Sequence, residues 1–532
     1  MFILNDKQIK AERLITNFLD SSKIYFLLEG DPGTGKTTII TKIFDNDRFK
    51  KKKIAFCATT NKAVSILQQY STLKGKNIIY TTIQKLLNIK RNIDENGKEV
   101  YASSFSCDNK YHIKNYDVIL IDEASMISSS ILNEITYSSR RYKCKIIFIG
   151  DRNQLPPVNE DVSEIFNMDY GENQINLDKI ERFKNDILKY TYSIKDSKKI
   201  KMSQLNKNDV VFYKIYKDWI DNYVKNIDSS IILTYTNNKK RMINNYIRNI
   251  LFPNLKNKYN IGEKIVFNNF YSTQENKFYS SQHASIIGID KVNYKFNPLP
   301  VNKLLDLSIT LNNNLKNVIS NDKKSCPICL EEDIDVMQQT KCNHLFCGKC
   351  INIWLKQNNC CPLCRFVIEG DTIKIKDNEK ITNLINSVIK RVCDVEMKVL
   401  KIKISTSIFD GEQKKNITDF IYVISEDSKQ DYNLLCEFIK KSLLEIKKYI
   451  SSKNRYNNII LRRLWEFFYN NYIDVLADID YGYCITVHKS QGSTYTYVYV
   501  NLKDIVNNNK TDTKNCVYTA ITRASEKLLV LK

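Results

Sequence analysis

The chain has 532 residues, 43% of them hydrophobic, enough for roughly three or four packed domains, and this excludes a mainly disordered chain. Lysine and arginine total 81 against 59 aspartates and glutamates; the resulting +22 charge attracts phosphate backbones, although the Lys, Asn, Ile and Tyr enrichment also follows from AT-rich codons. No run approaches the ~20 apolar residues of a bilayer span, and the cysteines crowd between Cys326 and Cys364, so the expectation is an intracellular chain without membrane contact, in a reducing compartment, with thiols that bind metal.

Residues 24–28, IYFLL, predict a buried strand, and Ile39, Ile40 and Ile43 share one side of a helix after Lys36. Between them GDPGTGKTT satisfies G-x-x-x-x-G-K-[ST]. Gly30, Gly33 and Gly35, with Asp31, Pro32 and Thr34 between them, let backbone N–H groups curl around phosphate. Lys36 reaches the terminal phosphates of ATP, Thr37 offers a hydroxyl to Mg²⁺, and Thr38 completes the motif. Apolar runs at 53–59, 117–122 and 145–150 alternate with helical segments, the pattern of a parallel sheet, and predict one α/β domain over 1–165. Within it, NIDENGKEVYASS predicts a small hairpin insertion over 88–113. Asp122 and Glu123 end a buried strand, one strand across from the phosphate loop, where one carboxylate can hold Mg²⁺ and the next can polarise water.

A second α/β unit is expected to begin near INLDKIERF (175–183), occupying 166–258 and resuming over 476–532. Arg182 and Arg523 are its candidates for transition-state charge. The interruption, 259–475, contains strands of a small β unit at GEKIVFNNFYS and EMKVLKIKIS. From Asp431 to Tyr449 the stripe Leu434, Leu435, Phe438, Ile439, Leu443 and Ile446 keeps a helical period and reads as core.

Cys326-x2-Cys329, Cys342-x-His344, Cys347-x2-Cys350 and Cys361-x2-Cys364 supply ligands for two tetrahedral zinc ions, leaving Cys360 over. This spacing resembles the RING finger, over 326–366. The resemblance implies a cross-brace: Cys326, Cys329, Cys347 and Cys350 on one ion, Cys342, His344, Cys361 and Cys364 on the other. It also implies a ubiquitin ligase that docks a ubiquitin-conjugating enzyme on an apolar patch, with Ile328, Trp354 and Pro362 at patch positions and Arg365 at the linchpin arginine. A zinc staple or dimerisation knob is the bland alternative.

The ordered set Gln8, GDPGTGKTT, CATTNKAV, TTIQKLL, IDEASM, GDRNQLPPV, LDKIERF, TVHKSQGST and YTAITRA resembles superfamily 1B helicases of the RecD-like type. The fold this implies is α/β: two RecA-like P-loop domains with a small β (SH3-like) insertion domain carrying the finger. The implied activity is ATP-dependent, 5′-to-3′ movement on single-stranded or forked DNA, with the hairpin as a strand-separating pin. Gln8 would read adenine, Gln154 would sense the γ-phosphate, and Arg182 and Arg523 would be arginine fingers. Thr59, Thr60, Asn61, Lys62, Thr82, Thr486, His488 and Lys489 would touch DNA; Gln84 stands where the family usually has histidine.

Two whole-chain readings follow: a helicase that is also a ubiquitin ligase, or mainly a ligase whose ATPase body is a nucleotide-gated DNA platform. A translocase that strips proteins from DNA is a third. Ubiquitin chemistry with AT bias points to a large DNA virus of eukaryotes. Nucleus, cytoplasm or viral replication site, oligomeric state and ubiquitination substrate are not written in the sequence.

Overall fold

In this computed structural model the described residues are 4–49, 51–70, 77–94, 96–103, 112–179, 185–196, 209–253, 257–296, 316–319, 326–329, 336–340, 342, 344–358, 360–364, 395–410, 413–449, 462, 464–507 and 513–532. The apolar runs of the first 150 residues form strands because each is buried on both faces of a helix-covered parallel sheet. Strand order is Ile78–Thr82, Ile54–Ala58, Val118–Ile121, Lys145–Gly150, Tyr25–Gly30, Gln174–Leu177. Every pairing is parallel. Lys145–Gly150 therefore lies between the strand ending at Asp122 and the one feeding the phosphate loop.

The edge strand corrects the expected boundary. Gln174–Leu177 pairs with Leu27–Gly30, so the first domain runs past 165 and INL closes the first sheet instead of opening the second. Its short alternating pattern marks a half-buried strand but carries no information about which sheet it joins. The second domain takes its first helix at Asn185–Asp196, whose Ile187, Tyr190 and Ile194 enter its core. Its parallel sheet is ordered Cys484–Thr486, Ser230–Thr234, Tyr495–Asn501, Ala524–Leu531, Val210–Tyr213.

The interruption builds a five-stranded antiparallel sheet, Gln413–Ile424, Glu396–Asp410, His283–Lys295, Lys264–Phe267, Ile479–Tyr481, whose last strand corrects the expected boundary at 475: the second α/β domain resumes after it. Lys295 and Glu396 are register partners, so the zinc-finger segment leaves and re-enters at neighbouring points of one strand pair. Such an insertion costs the sheet little, because its two ends are already adjacent.

The helix Glu426–Tyr449 buries Cys436, Ile439 and Leu443 as its apolar stripe requires, with Leu435 and Phe438 partly buried beside them. Leu434 departs from the expectation: it is 58% exposed, at the margin of the stripe. The side chain of Ile446 lies outside the described residues.

The hairpin exists as Ile89–Ile93 paired antiparallel with Glu99–Ser103. Its tip is docked. Gly97 has φ +77, and a Cβ there would sit 2.7 Å from Trp465. Tyr469 donates its hydroxyl to the Gly97 carbonyl at 3.2 Å, Lys447 reaches Asn96, and Ile93 shares an apolar cluster with Trp465, Phe468 and Tyr472. The first domain is thereby braced against the insertion. Among the described residues no helix is long and apolar enough to cross a membrane.

Candidate functional site

The phosphate loop turns tightly from its strand into the helix Lys36–Phe44. Gly35 is left-handed, φ +81, and a Cβ on it would lie 2.7 Å from Gln8 Nε2; on Gly30 it would lie 2.7 Å from the Leu177 carbonyl. Only glycine meets both constraints. Gly35 caps the helix without a side-chain bond, which leaves the first-turn N–H groups for an anion. Lys36 folds over the loop and donates to the carbonyls of Gly30 (2.6 Å) and Asp31 (2.9 Å).

A cleft of about 220 Å³ joins this loop to both domains; Pro32, Gly33, Thr37, Thr38, Asp122, Glu123, Gln154 and Arg523 all line it. Glu123 sits at φ +53, its carboxyl held above the usual range by burial and the adjacent Asp122, with Arg523 and Lys36 opposing. Arg523 is 4% exposed. Its guanidinium donates to the Thr519 and Ser493 carbonyls and, at 3.4 Å, to Gln154 Oε1. Gln8 caps the helix Asp6–Asp20 reciprocally with Asn5 and donates to the Thr34 carbonyl at 3.0 Å, so its amide lies on the phosphate loop. Arg182 lies outside the described residues.

Sequence reasoning passed over the inter-domain network beside this cleft. The Tyr518 hydroxyl stands 2.8 Å from Asp151 Oδ2 and 3.1 Å from Asp31 Oδ1, while Lys195 pairs with both Asp31 oxygens at 2.8 and 2.9 Å. Tyr518 and Lys195 belong to the second domain, the two aspartates to the first. Burial and the two carboxylates push the phenol far up, so it stays protonated and donates. Burial raises Asp151 to about 6, opposed by Lys36. Tyr518 opens the YTAITRA stretch, but only the fold shows that it faces two aspartates.

A wider cleft, about 1050 Å³, takes Thr59, Thr60, Asn61, Lys62, Thr82 and Gln84 from the first domain and His488 and Lys489 from the second. Thr486 is placed differently: 8% exposed, it caps a short helix and is absent from the cleft wall. Lys62 donates to the Ser281 carbonyl at 3.2 Å, and Lys489 to Asn268 Oδ1 at 2.7 Å. The insertion thus supplies a third wall.

In the finger, Cys326, Cys329, Cys347 and Cys350 bring their sulfurs within 4.8 Å of one another, as do the ligand atoms of Cys342, His344, Cys361 and Cys364. The Cys329–Cys347 separation, 3.9 Å, fits the edge of a zinc–thiolate tetrahedron, about 3.8 Å for Zn–S bonds of about 2.3 Å. His344 turns Nδ1 toward Cys342 (3.3 Å) and Cys361 (3.6 Å). The donor set fits two zinc ions in the cross-braced pairing. Cys360 stays out of both groups and accepts the Trp354 indole N–H at its carbonyl, 2.7 Å. Ile328 is 39% exposed and Pro362 half-buried; Arg365 lies outside the described residues.

Residues 3–212 match the AAA domain family, 481–531 the UvrD-like helicase C-terminal domain, and 324–365 the Ring finger domain. The chain carries helicase domains and a RING finger. The helicase is 28% identical to a protein of Acanthamoeba polyphaga mimivirus over 99% of both chains, which agrees with the expected viral setting. It is 25% identical to the RecBCD enzyme subunit RecD of Buchnera aphidicola over 94% of this chain and 69% of that one. Its finger is 46% identical to part of the E3 ubiquitin-protein ligase ICP0 of equine herpesvirus 1, over 8% of each chain. The helicase thus combines an ATP-dependent motor with a finger of the ubiquitin-ligase type.

Proposed function

We propose that the chain couples ATP hydrolysis to 5′-to-3′ movement along single-stranded DNA, opening forks, and that its finger transfers ubiquitin from a conjugating enzyme. The observation that carries the motor is the entry of Arg523 from the second domain into the cleft that holds Lys36, Asp122 and Glu123 of the first. Nucleotide between the domains then controls their spacing, and the wider cleft between the same domains is where a strand would be moved.

In this reading the free N–H groups after Gly35 and the Lys36 ammonium hold the phosphates. Thr37 and Asp122 would hold Mg²⁺, which would supply charge neutralisation for phosphoryl transfer. Glu123 accepts the proton of the attacking water as its oxygen bonds to the γ-phosphorus and the bond to the ADP oxygen breaks; a raised carboxyl suits that role. Gln154 orients the γ-phosphate, Arg523 meets the developing charge, and Arg182 would add a second guanidinium. Gln8 reads the base from its place over Thr34.

On the finger, Ile328 and Pro362 offer the apolar dock, Trp354 is braced against Cys360, and Arg365 would serve as linchpin. Ile353, 62% exposed on the same helix as Trp354, is a further exposed apolar side chain of the finger that was not read from the sequence. Lys36→Ala should lower DNA-stimulated ATP hydrolysis by about 100-fold or more and abolish unwinding, while self-ubiquitination survives. Ile328→Ala should do the reverse. Unwinding by Lys36→Ala would refute the motor, and unchanged self-ubiquitination in both Ile328→Ala and Arg365→Ala would refute the dock.

A further inference from the structure

The turn that forms the third wall of the wide cleft carries aromatic residues with two destinations. Phe267, Tyr271 and Phe278 point inward and stack on one another, Phe267 on Phe278 at 5.0 Å with planes 5° apart. Phe270 and Tyr279 line the cleft, their rings 5.7 Å apart, and Phe270 is 54% exposed; polar side chains such as Thr59 and Asn61 share the cleft with the apolar Ile89, Met126 and Ile131. What sets Phe270 apart from a solitary exposed ring is its place on a cleft wall beside a second ring, where a flat ligand can meet both.

The turn is also held with unusual care. Asn268 and Asn269 donate to the Asp478 carboxylate at 2.9 and 3.0 Å, and Ser280 donates to the Asn268 carbonyl at 2.8 Å. Ser281 adopts φ +66, a left-handed conformation costly for serine, and its carbonyl receives Lys62. Lys489 holds the other side through Asn268. Lys62 and Lys489, expected from the sequence to touch DNA, line the cleft and also clamp this turn between the two motor domains.

We infer that Phe270 and Tyr279 form a base-stacking platform for single-stranded nucleic acid, with Phe270 the principal face. Every base presents a π-face, so such a platform grips a strand without selecting its sequence, as a motor that must pass over any sequence requires. The lysine clamps tie its position to both motor domains, so it moves when they do. This rests on reading the wide cleft as the strand channel.

The test measures binding of full-length protein to a short oligothymidylate and to an abasic strand of the same length, by fluorescence anisotropy at fixed salt. Phe270→Ala should weaken the base-bearing strand about tenfold and the abasic strand less than about twofold. Phe270→Tyr should restore binding, and thermal unfolding should match wild type, because the exposed ring contributes little to packing. Equal losses on both strands would overturn stacking in favour of loop positioning, and no loss on the base-bearing strand would overturn it outright. If wild-type protein bound neither strand, the channel reading itself would fall.

Discussion

The nucleotide cleft and the zinc finger reach their chemistry by opposite routes. The cleft is assembled from segments as far apart as Gln8 and Arg523, and its shape depends on hydrogen bonds across a domain boundary, such as Tyr518 to Asp31 and Asp151. The finger draws its ligands from Cys326 to Cys364, around a small core of Phe346 and Ile351, and its geometry depends on metal. Distributed assembly lets nucleotide move domains; local assembly lets a module be inserted between Lys295 and Glu396 without disturbing its host. Perturbations should therefore separate cleanly.

Zinc removal is the largest. Structural zinc contributes on the order of 10 kcal/mol to a finger, so chelation should unfold this one and release two ions per chain, counted with a metallochromic dye. ATP hydrolysis should change less than about twofold. Parallel loss of both would mean that the insertion is not independent.

Tyr518→Phe acts on the distributed site alone. It removes the one phenolic proton that two buried carboxylates share, a cost of about 1–3 kcal/mol, and should lower kcat/KM for ATP about tenfold without touching self-ubiquitination. Wild-type kinetics would make the contact incidental.

The smallest effect concerns His283, beside the wide cleft. Its Nε2 is buried without a partner, and burial together with Lys62 and Lys264 lowers its pKa to about 3. The unfolded chain therefore binds a proton below about pH 6.5 that the folded chain refuses until about pH 3, so stability falls as the pH drops through that window. His283→Gln should reduce the loss of stability between pH 7 and pH 5 by on the order of 1 kcal/mol, read from thermal unfolding. An unchanged pH slope would contradict the burial argument.

What could be read from the sequence was local. Gly35, Lys36 and the Asp122–Glu123 pair carry their meaning in a few consecutive residues between a strand and a helix, and so do the paired zinc ligands. The boundary at 165 went wrong because strand pairing is not local: QINL joins Tyr25–Gly30 across more than a hundred residues. For the same reason Tyr518 and Lys195 gave no sign of their aspartates. The bonds of Lys62 and Lys489 to Ser281 and Asn268 were hidden too, since a lysine's partner cannot be seen until the fold brings it near. The docking of Gly97 on Trp465 was equally hidden, although the Asn-Gly turn that enables it was plain.

The most direct test of the central claim is unwinding of forked DNA carrying a single 5′ or 3′ tail, with ATP, with and without zinc chelation. The account predicts that the 5′-tailed fork opens, that the 3′-tailed one does not, and that chelation leaves the result in place. Opening of neither fork, or opening that persists without ATP, would contradict it.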